Sequence, residues 1–340
     1  TLQHPTSNLQ SLIMNLTYEP LTLDLKTTFR IAHGASDQRH NVIAHIDEGL
    51  GEGAAVSYHG ESQQGIMEYL SRIKLSDDPF QLEDILNSLP AGSQAARASI
   101  DIALHDLWGK RLGQPLYRLL GLNPNCAPLT SFTIAMDLPE AMARRAREAK
   151  MPIIKIKVGG AEDEKCVRAI REAFGGEMCV DANAGWTREQ AKDLIPRLMQ
   201  YKLAFVEQPL PKGDIEGLKW LRDQKFGVPI FADEPIKVAR DVAAHASAVD
   251  GVVIKLMKSG GIREAIRSIH TARALDMQVM IGCMVETSIG VTAAAHIASL
   301  ADYADLDGPL LIKNDPYRGV TYDGAKLILP EGDGLGVTIP

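Results

Sequence analysis

The chain is poor in cysteine, with 4 in 340 residues, at Cys126, Cys166, Cys179 and Cys283. No two of them form a CxxC pair or a metal-ligand spacing, so a disulfide framework and a thiolate zinc site are excluded. Buried free thiols in a reducing cytoplasm are the expected state. Long apolar runs are missing too, and without one no helix can span a bilayer. The opening stretch from Thr1 to Ser11 is polar and has no basic segment leading into an apolar one, so it does not read as a signal peptide. Positive charge is in deficit, 36 Lys and Arg against 43 Asp and Glu, for a formal net charge of −7. That balance argues against a nucleic-acid or anionic-membrane partner.

What remains is an ordinary globular composition, 45% hydrophobic and 23% charged. At 340 residues the chain is too long for one ordinary core and suits two domains. From Asn15 to Val56 short alternating runs (Leu21, Leu23, Leu25; Val42, Ala44, Ile46) broken by Gly49, Gly51 and Gly53 predict a small antiparallel sheet. Helical segments are expected over 63–75, 79–89 and 93–112. In the last, Ile100, Ala103, Leu104, Leu107 and Trp108 recur at helical spacing, and Gly113 stands just past the end.

The middle of the chain changes character. Apolar runs at 153–158, 178–180, 204–206, 229–231, 252–256 and 279–281 alternate with amphipathic segments, the pattern of βαβ units and a parallel sheet. A run at 129–134 precedes the series and one at 303–306 follows it. Eight strands are the number a (β/α)8 barrel needs. From Tyr317 onward Gly and Pro are frequent, and the tail is expected to return to the first domain.

Acidic residues end three successive predicted strands: Asp181, Glu207 and Asp233, at equal intervals of twenty-six positions, one strand-plus-helix unit. In a barrel all three would point into the mouth where active sites sit. A single acid there reads best as a helix cap; three in register do not. Like charges that close repel strongly and need a cation, and an all-oxygen set favours a hard ion, Mg²⁺ before Mn²⁺. Lys155 and Lys157 lie on the strand before Asp181, and Lys255 on the strand after Asp233. Lys157 and Lys255 interrupt apolar strands on roughly opposite sides of an eight-strand ring. Inward-facing lysines beside a metal can act as bases, and an opposed pair suits a reaction in which a proton leaves and returns.

These residues carry a family resemblance. Lys-Ile-Lys at 155–157, Asp-Ala-Asn at 181–183, Val-Glu-Gln-Pro at 206–209, Ala-Asp-Glu at 232–234 and Ile-Lys-Leu-Met-Lys-Ser-Gly-Gly at 254–261 resemble the muconate-lactonizing branch of the enolase superfamily. The segment 97–109 resembles its capping-domain helix. The resemblance implies a modified (β/α)8 TIM-type barrel under an α+β capping domain. It divides the chain into a capping domain (1–126), a barrel with the metal site (127–314) and a segment returning to the cap (315–340). It also implies one Mg²⁺ per subunit held by Asp181, Glu207 and Asp233, Lys157 and Lys255 as the acid–base pair, Lys155 supporting developing charge, and Asn183 behind the ligands. Strand seven carries no His-x-Asp dyad, having Cys283 and Glu286 instead, which sets aside the mandelate-racemase branch.

Within the branch, Asp305-Leu306-Asp307 resembles the Asp-x-Asp of dipeptide epimerases, where two carboxylates hold the dipeptide's ammonium group; segment 280–290 resembles that subfamily too. The implied reaction is a 1,1-proton transfer at the α-carbon of the dipeptide's C-terminal residue, through an enediolate. N-acylamino acid racemase, muconate cycloisomerase and o-succinylbenzoate synthase are the alternatives on one scaffold. A non-catalytic binding protein is the alternative from another class, and five ionisable site residues in place count against it. A homo-oligomer is expected, as symmetric assemblies are common. One departure stands out. Relatives acting on Ala-Glu carry an arginine in a capping loop; its position falls on Gly34 here. Arg30 and Arg39 are the candidates to replace it, and a hydrophobic or broader side-chain preference fits equally well.

Overall fold

The computed structural model describes residues 14–76 and 78–340, so the polar stretch from Thr1 to Ser11 lies outside the described residues. The early alternation folds as an antiparallel sheet of β1 (Leu16–Ile31), β2 (Gly34–Ile46) and β3 (Gly49–Ala54). β1 and β2 make a long hairpin, paired from Leu16–Ile46 out to Ile31–Gly34, with a register shift between Asp24 and Phe29. Leu23 and Leu25 pack with Val285 and Ile312. Burying each such side chain is worth roughly 1.5–3 kcal/mol, which anchors the hairpin's middle to the rest of the protein. The tip, His33 to Ala35, stays exposed.

Three helices back the sheet: α1 (Gln63–Leu70), α2 (Leu82–Ser88) and α3 (Gln94–Leu112). α3 starts where Ser93 Oγ accepts from Ala96 N at 3.0 Å and stops at Gly113, whose φ of 61° is the left-handed cap. The glycines of β3 are explained by α3: a Cβ on Gly51 would fall on the carbonyl of Ser99. The first two helices are shorter than the expected 63–75 and 79–89. Asp78 Oδ1 accepts from Phe80 N at 2.9 Å, a local turn that delays α2 to Leu82.

The eight expected barrel strands are present: β4 (Phe132–Ile134), β5 (Ile153–Lys157), β6 (Glu177–Asp181), β7 (Leu203–Glu207), β8 (Ile230–Ala232), β9 (Gly251–Lys255), β10 (Gln278–Gly282) and β11 (Tyr303–Asp305). They pair in chain order, all parallel. The ring closes at its seam by a bridge between Thr130 and Ala304, with Ser131 N donating to Ala304 O at 2.9 Å. This is a nearly closed (β/α)8 barrel beside a separate antiparallel capping sheet.

Strand alternation sorts the side chains. Ile154, Ile156, Val180, Val206, Ile230, Val252, Ile254 and Ile281 face outward and join the main core. Cys179, Phe205, Phe231, Val253 and Met280 face inward and pack together. Phe205 and Phe231 stack at 4.5 Å, and Tyr303 meets Phe205 edge-on at 5.0 Å. The interior below the mouth is therefore a solid plug. After the barrel, β12 (Thr321–Asp323) and β13 (Lys326–Ile328) form a small hairpin. The tail beyond it reaches α3: Leu335 N donates to Asp106 Oδ1 at 2.8 Å. Among the described residues no helix is long and apolar enough to cross a membrane.

Candidate active site

Five of the six strands bearing charged groups share one ending, an inward apolar residue and then a charged one two positions on; β5 instead carries Lys155 and Lys157 in those two places. Cys179 precedes Asp181, Phe205 precedes Glu207, Phe231 precedes Asp233, Val253 precedes Lys255 and Tyr303 precedes Asp305. Residues two apart on a strand share a face, so these groups stand inside the barrel above the plug, at its C-terminal mouth. Asp181, Glu207 and Asp233 are fully buried, and each offers an oxygen within 4.8 Å of the others. The set holds no sulfur or imidazole. A buried, all-oxygen, triply acidic cluster fits a hard divalent cation.

Four buried lysines surround the carboxylates. Lys157 Nζ lies 2.6 Å from Asp181 Oδ2, and Lys255 Nζ lies 2.8 Å from Asp233 Oδ2. Lys258 Nζ contacts the other oxygen of Asp233 and its backbone carbonyl. Lys155 Nζ reaches Glu207 Oε2 at 2.8 Å, Asp305 Oδ2 at 2.9 Å and Asp181 Oδ2 at 3.3 Å. Burial alone would raise Asp181 and Asp233, but the lysines hold both well below the carboxylate range. Glu207 goes the other way: burial and the charge of Asp181 push it well up. Burial would lower Lys155 and Lys255, and the facing carboxylates override it and hold both well above the usual lysine value.

The strand ends are held in unusual backbone. Asn183 (φ 42°) and Gln208 (φ 37°) occupy the left-handed region, a strain of roughly 1–3 kcal/mol for a non-glycine residue. Side chains fix both. Asp181 Oδ1 accepts from Asn183 N at 2.8 Å, and Gln208 Oε1 accepts from Asp233 N at 2.8 Å. Asn183 Nδ2 also donates to Asp181 Oδ2 at 3.2 Å, so Asn183 sits directly behind that acid. Gly282 leaves room for Lys255: a Cβ there would lie 3.2 Å from the lysine's Cε.

Asp305 and Asp307 stand at the rim, on the strand that closes the ring. Ser131 Oγ donates to Asp305 Oδ1 at 2.6 Å, and Thr133 N donates to Asp307 Oδ2 at 2.7 Å. Burial and the charge of Asp305 push Asp307 up to about 7. A cavity of about 400 Å³ lies over Lys157, Asp305 and Asp307. Its other wall comes from the capping domain, with Phe29, Ile31, Arg39 and Tyr58, and from Met284 after β10. The Arg39 guanidinium sits 5.7 Å from the Phe29 ring centroid, and burial lowers its pKa. Among the described residues no carboxylate lies within ion-pair distance of it. Arg30 is exposed and takes no part in the wall.

The structure thus brings together all nine residues singled out in the sequence: the three acids, Lys155, Lys157, Lys255, Asn183, Asp305 and Asp307. It adds three that sequence reasoning passed over. Lys258 stands three positions after Lys255, one helical turn, which was a visible signal. Glu234, raised to about 7 by burial and by Asp233, accepts from Asn183 Nδ2 at 3.3 Å; strand alternation turns the second of two adjacent acids away from the first, so the pattern carries no signal for it. Tyr58 had no signal, because only the docking of the capping domain brings it over the barrel.

Comparison with known proteins agrees with this geometry. Residues 137–340 match the family described as "Enolase C-terminal domain-like", and residues 18–121 match "Mandelate racemase / muconate lactonizing enzyme, N-terminal domain". The chain is 40% identical over 336 residues to the L-Ala-D/L-Glu epimerase of Bacteroides thetaiotaomicron, covering 95% of this chain and 88% of that one. The substrate-liganded L-Ala-D/L-Glu epimerase of Bacillus subtilis superposes with a TM-score of 0.90 at 31% identity, over 96% of this chain and 98% of that one. The dipeptide epimerase of Enterococcus faecalis, complexed with Mg and L-Leu-L-Tyr, gives 0.89 at 36% identity, over 96% and 99%.

Proposed function

The chain belongs to the mandelate racemase/muconate lactonizing enzyme family of the enolase superfamily, and on that premise we propose that it is a metal-dependent dipeptide epimerase. It moves a proton at the α-carbon of the dipeptide's C-terminal residue. One observation carries the reading. Lys157 and Lys255 end β5 and β9, four strands apart in an eight-strand ring, and the acids of β6, β7 and β8 lie between them. An α-carbon held there meets an Nζ on either face. One amine takes the proton and the opposite ammonium returns one, which inverts the centre.

Asp181, Glu207 and Asp233 would hold one Mg²⁺, with Mn²⁺ able to replace it. A bound dication supplies positive charge that offsets what develops as a proton leaves a carbon beside a carboxylate. The chain's own residues do the rest. Lys155 neutralises Asp305 and supports Glu207. Asn183 orients Asp181. Asp307, with Asp305 already paired, offers one uncompensated carboxyl group to the substrate's ammonium. Arg39, with no acid in ion-pair distance among the described residues, faces the cavity and suits an anionic side chain on the substrate; Phe29 and Ile31 beside it suit an apolar one.

The named activities of the relatives support a dipeptide over an N-acyl amino acid. The same reading takes the chain as cytoplasmic, in keeping with its free cysteines, and as a homo-oligomer, since symmetric assemblies are common, with the capping, barrel and returning segments divided at 126 and 314. The test is α-proton exchange in D₂O, followed by NMR across a dipeptide library with Mg²⁺ present. Washout at the C-terminal residue is expected. No exchange with any dipeptide would overturn the substrate assignment.

A further inference from the structure

Two carboxyl groups lie buried at the seam between the capping sheet and the barrel, apart from the metal cluster. Glu52 on β3 has no exposed surface, and Glu286, four residues after β10, is 1% exposed. They flank the same glycine: a Cβ on Gly290 would press on Glu286 Oε2 and lie 3.1 Å from Glu52 Oε2. Their surroundings are unequal. Glu52 accepts from Asn41 Nδ2 (2.8 Å), Thr287 Oγ1 (2.7 Å), Thr287 N (3.0 Å) and Gly290 N (3.0 Å). Two of those amides open the helix Ser288–Ile297, whose N-terminus favours negative charge. Glu286 accepts from one group, Met284 N at 2.7 Å, and its Oε2 has no partner.

Two ionised carboxylates cannot share so dry a seam without a paired cation, and Lys255, the nearest, is paired with Asp233. Apart from Met284 N, the donors at this seam are aimed at Glu52. We propose that Glu286 is a neutral carboxylic acid in the folded protein at neutral pH, and that this single proton lets β3 dock against the barrel. Glu286 is then a positioning residue. It holds Met284 by its backbone, and Met284 and Val285 form part of the cavity wall. The groups facing it are Glu52 from β3, Lys255 from β9, and Cys283 on its own loop; Tyr317 of the tail faces Glu52, and Asp315 lies beside Tyr317. Burial first, and Glu52 second, raise Glu286 to about 8, in line with the geometry.

The sign follows from linkage. The folded state keeps a proton that the unfolded chain releases above about 4.5, so wild-type stability falls as pH rises from there to about 8 and then levels. Glu286→Gln, neutral at every pH, removes that decline. Across this window the folding constant of the wild type relative to Glu286→Gln should drop about tenfold per pH unit, one proton's worth. Urea titrations from pH 5 to 9 measure it. A ratio that does not change with pH overturns the proposal. A second readout does not need Glu286→Gln to fold. Infrared spectra of the Glu234→Gln protein labelled with ¹³C-glutamate and saturated with Mg²⁺, which would keep Glu207 ionised, should show a protonated carboxyl band at pH 7 that vanishes near pH 8. Absence of that band at pH 7 also overturns it. Neither measurement uses turnover, so both stand or fall independently of the dipeptide assignment.

Discussion

Lys155 Nζ crosses from β5 to Asp305 on β11, passing the adjoining β4, and sits 2.9 Å from its carboxylate while touching Glu207 at 2.8 Å. One ammonium thus ties the rim acid Asp305 to the metal cluster. It is fully buried, as is Glu207. Removing one partner of a buried ion pair leaves an uncompensated charge, at a cost of roughly 3–5 kcal/mol. Lys155→Met should therefore lower stability by about that amount in urea titrations run with a chelator. A loss below about 1 kcal/mol would mean that Lys155 is not the counter-ion of both acids.

Lys157 and Lys255 should be separable from metal binding. Each contacts a carboxylate, Asp181 or Asp233, and neither offers an oxygen to a cation. Lys157→Ala and Lys255→Ala should each abolish net epimerisation while calorimetry still records Mg²⁺ binding. A variant keeping one lysine should still wash the α-proton from one epimer in D₂O. Near wild-type epimerisation by either variant would sink the two-lysine assignment.

Asp307 is the cleaner test of ammonium recognition, because changing Asp305 also strips Lys155 of its partner. A charge-assisted hydrogen bond is worth roughly 1.5–3 kcal/mol, about ten- to a hundredfold. Asp307→Asn should lower kcat/KM for dipeptides by that factor and leave N-acyl amino acids unaffected. Asp307 is charged only above its raised pKa of about 7. Dipeptide kcat/KM should accordingly rise as pH passes upward through about 7, and the Asn variant should lose that limb. An unchanged dipeptide-to-N-acyl ratio would return Asp307 to a purely structural role.

Arg39 should set the side-chain preference. Arg39→Met keeps the apolar stem over Phe29 and removes the charge. The ratio of kcat/KM for a C-terminal Glu over a C-terminal Leu should fall about ten- to a hundredfold. Arg30→Met, on an exposed side chain, should leave the ratio as it is. Equal responses to the two substitutions would count against Arg39.

Much of the site was readable because one rule governs it. Asp181, Glu207 and Asp233 each follow an apolar run at the end of a strand, and a parallel barrel repeats its strands at near-constant spacing. Local pattern therefore carried global position. Glu52 and Glu286 followed no such rule. They lie more than two hundred positions apart, and each alone is an ordinary acid near a turn. Only the docking of β3 on the barrel brings them together. The helix ends were misplaced for a smaller reason of the same kind: the side chain of Asp78 competes for the backbone where periodicity alone would begin a helix at Pro79.

The stacked Phe205 and Phe231, with Tyr303 against them, close the far end of the barrel. The cavity lies on the other side, walled by residues of the β1–β2 hairpin. Substrate and product of an epimerisation there would occupy this one cavity in turn, and they differ only in handedness at one carbon. Neither can be held while the other is inside, so each epimer is a competitive inhibitor of the other's conversion, and progress curves slow as the mixture approaches balance rather than when substrate runs out.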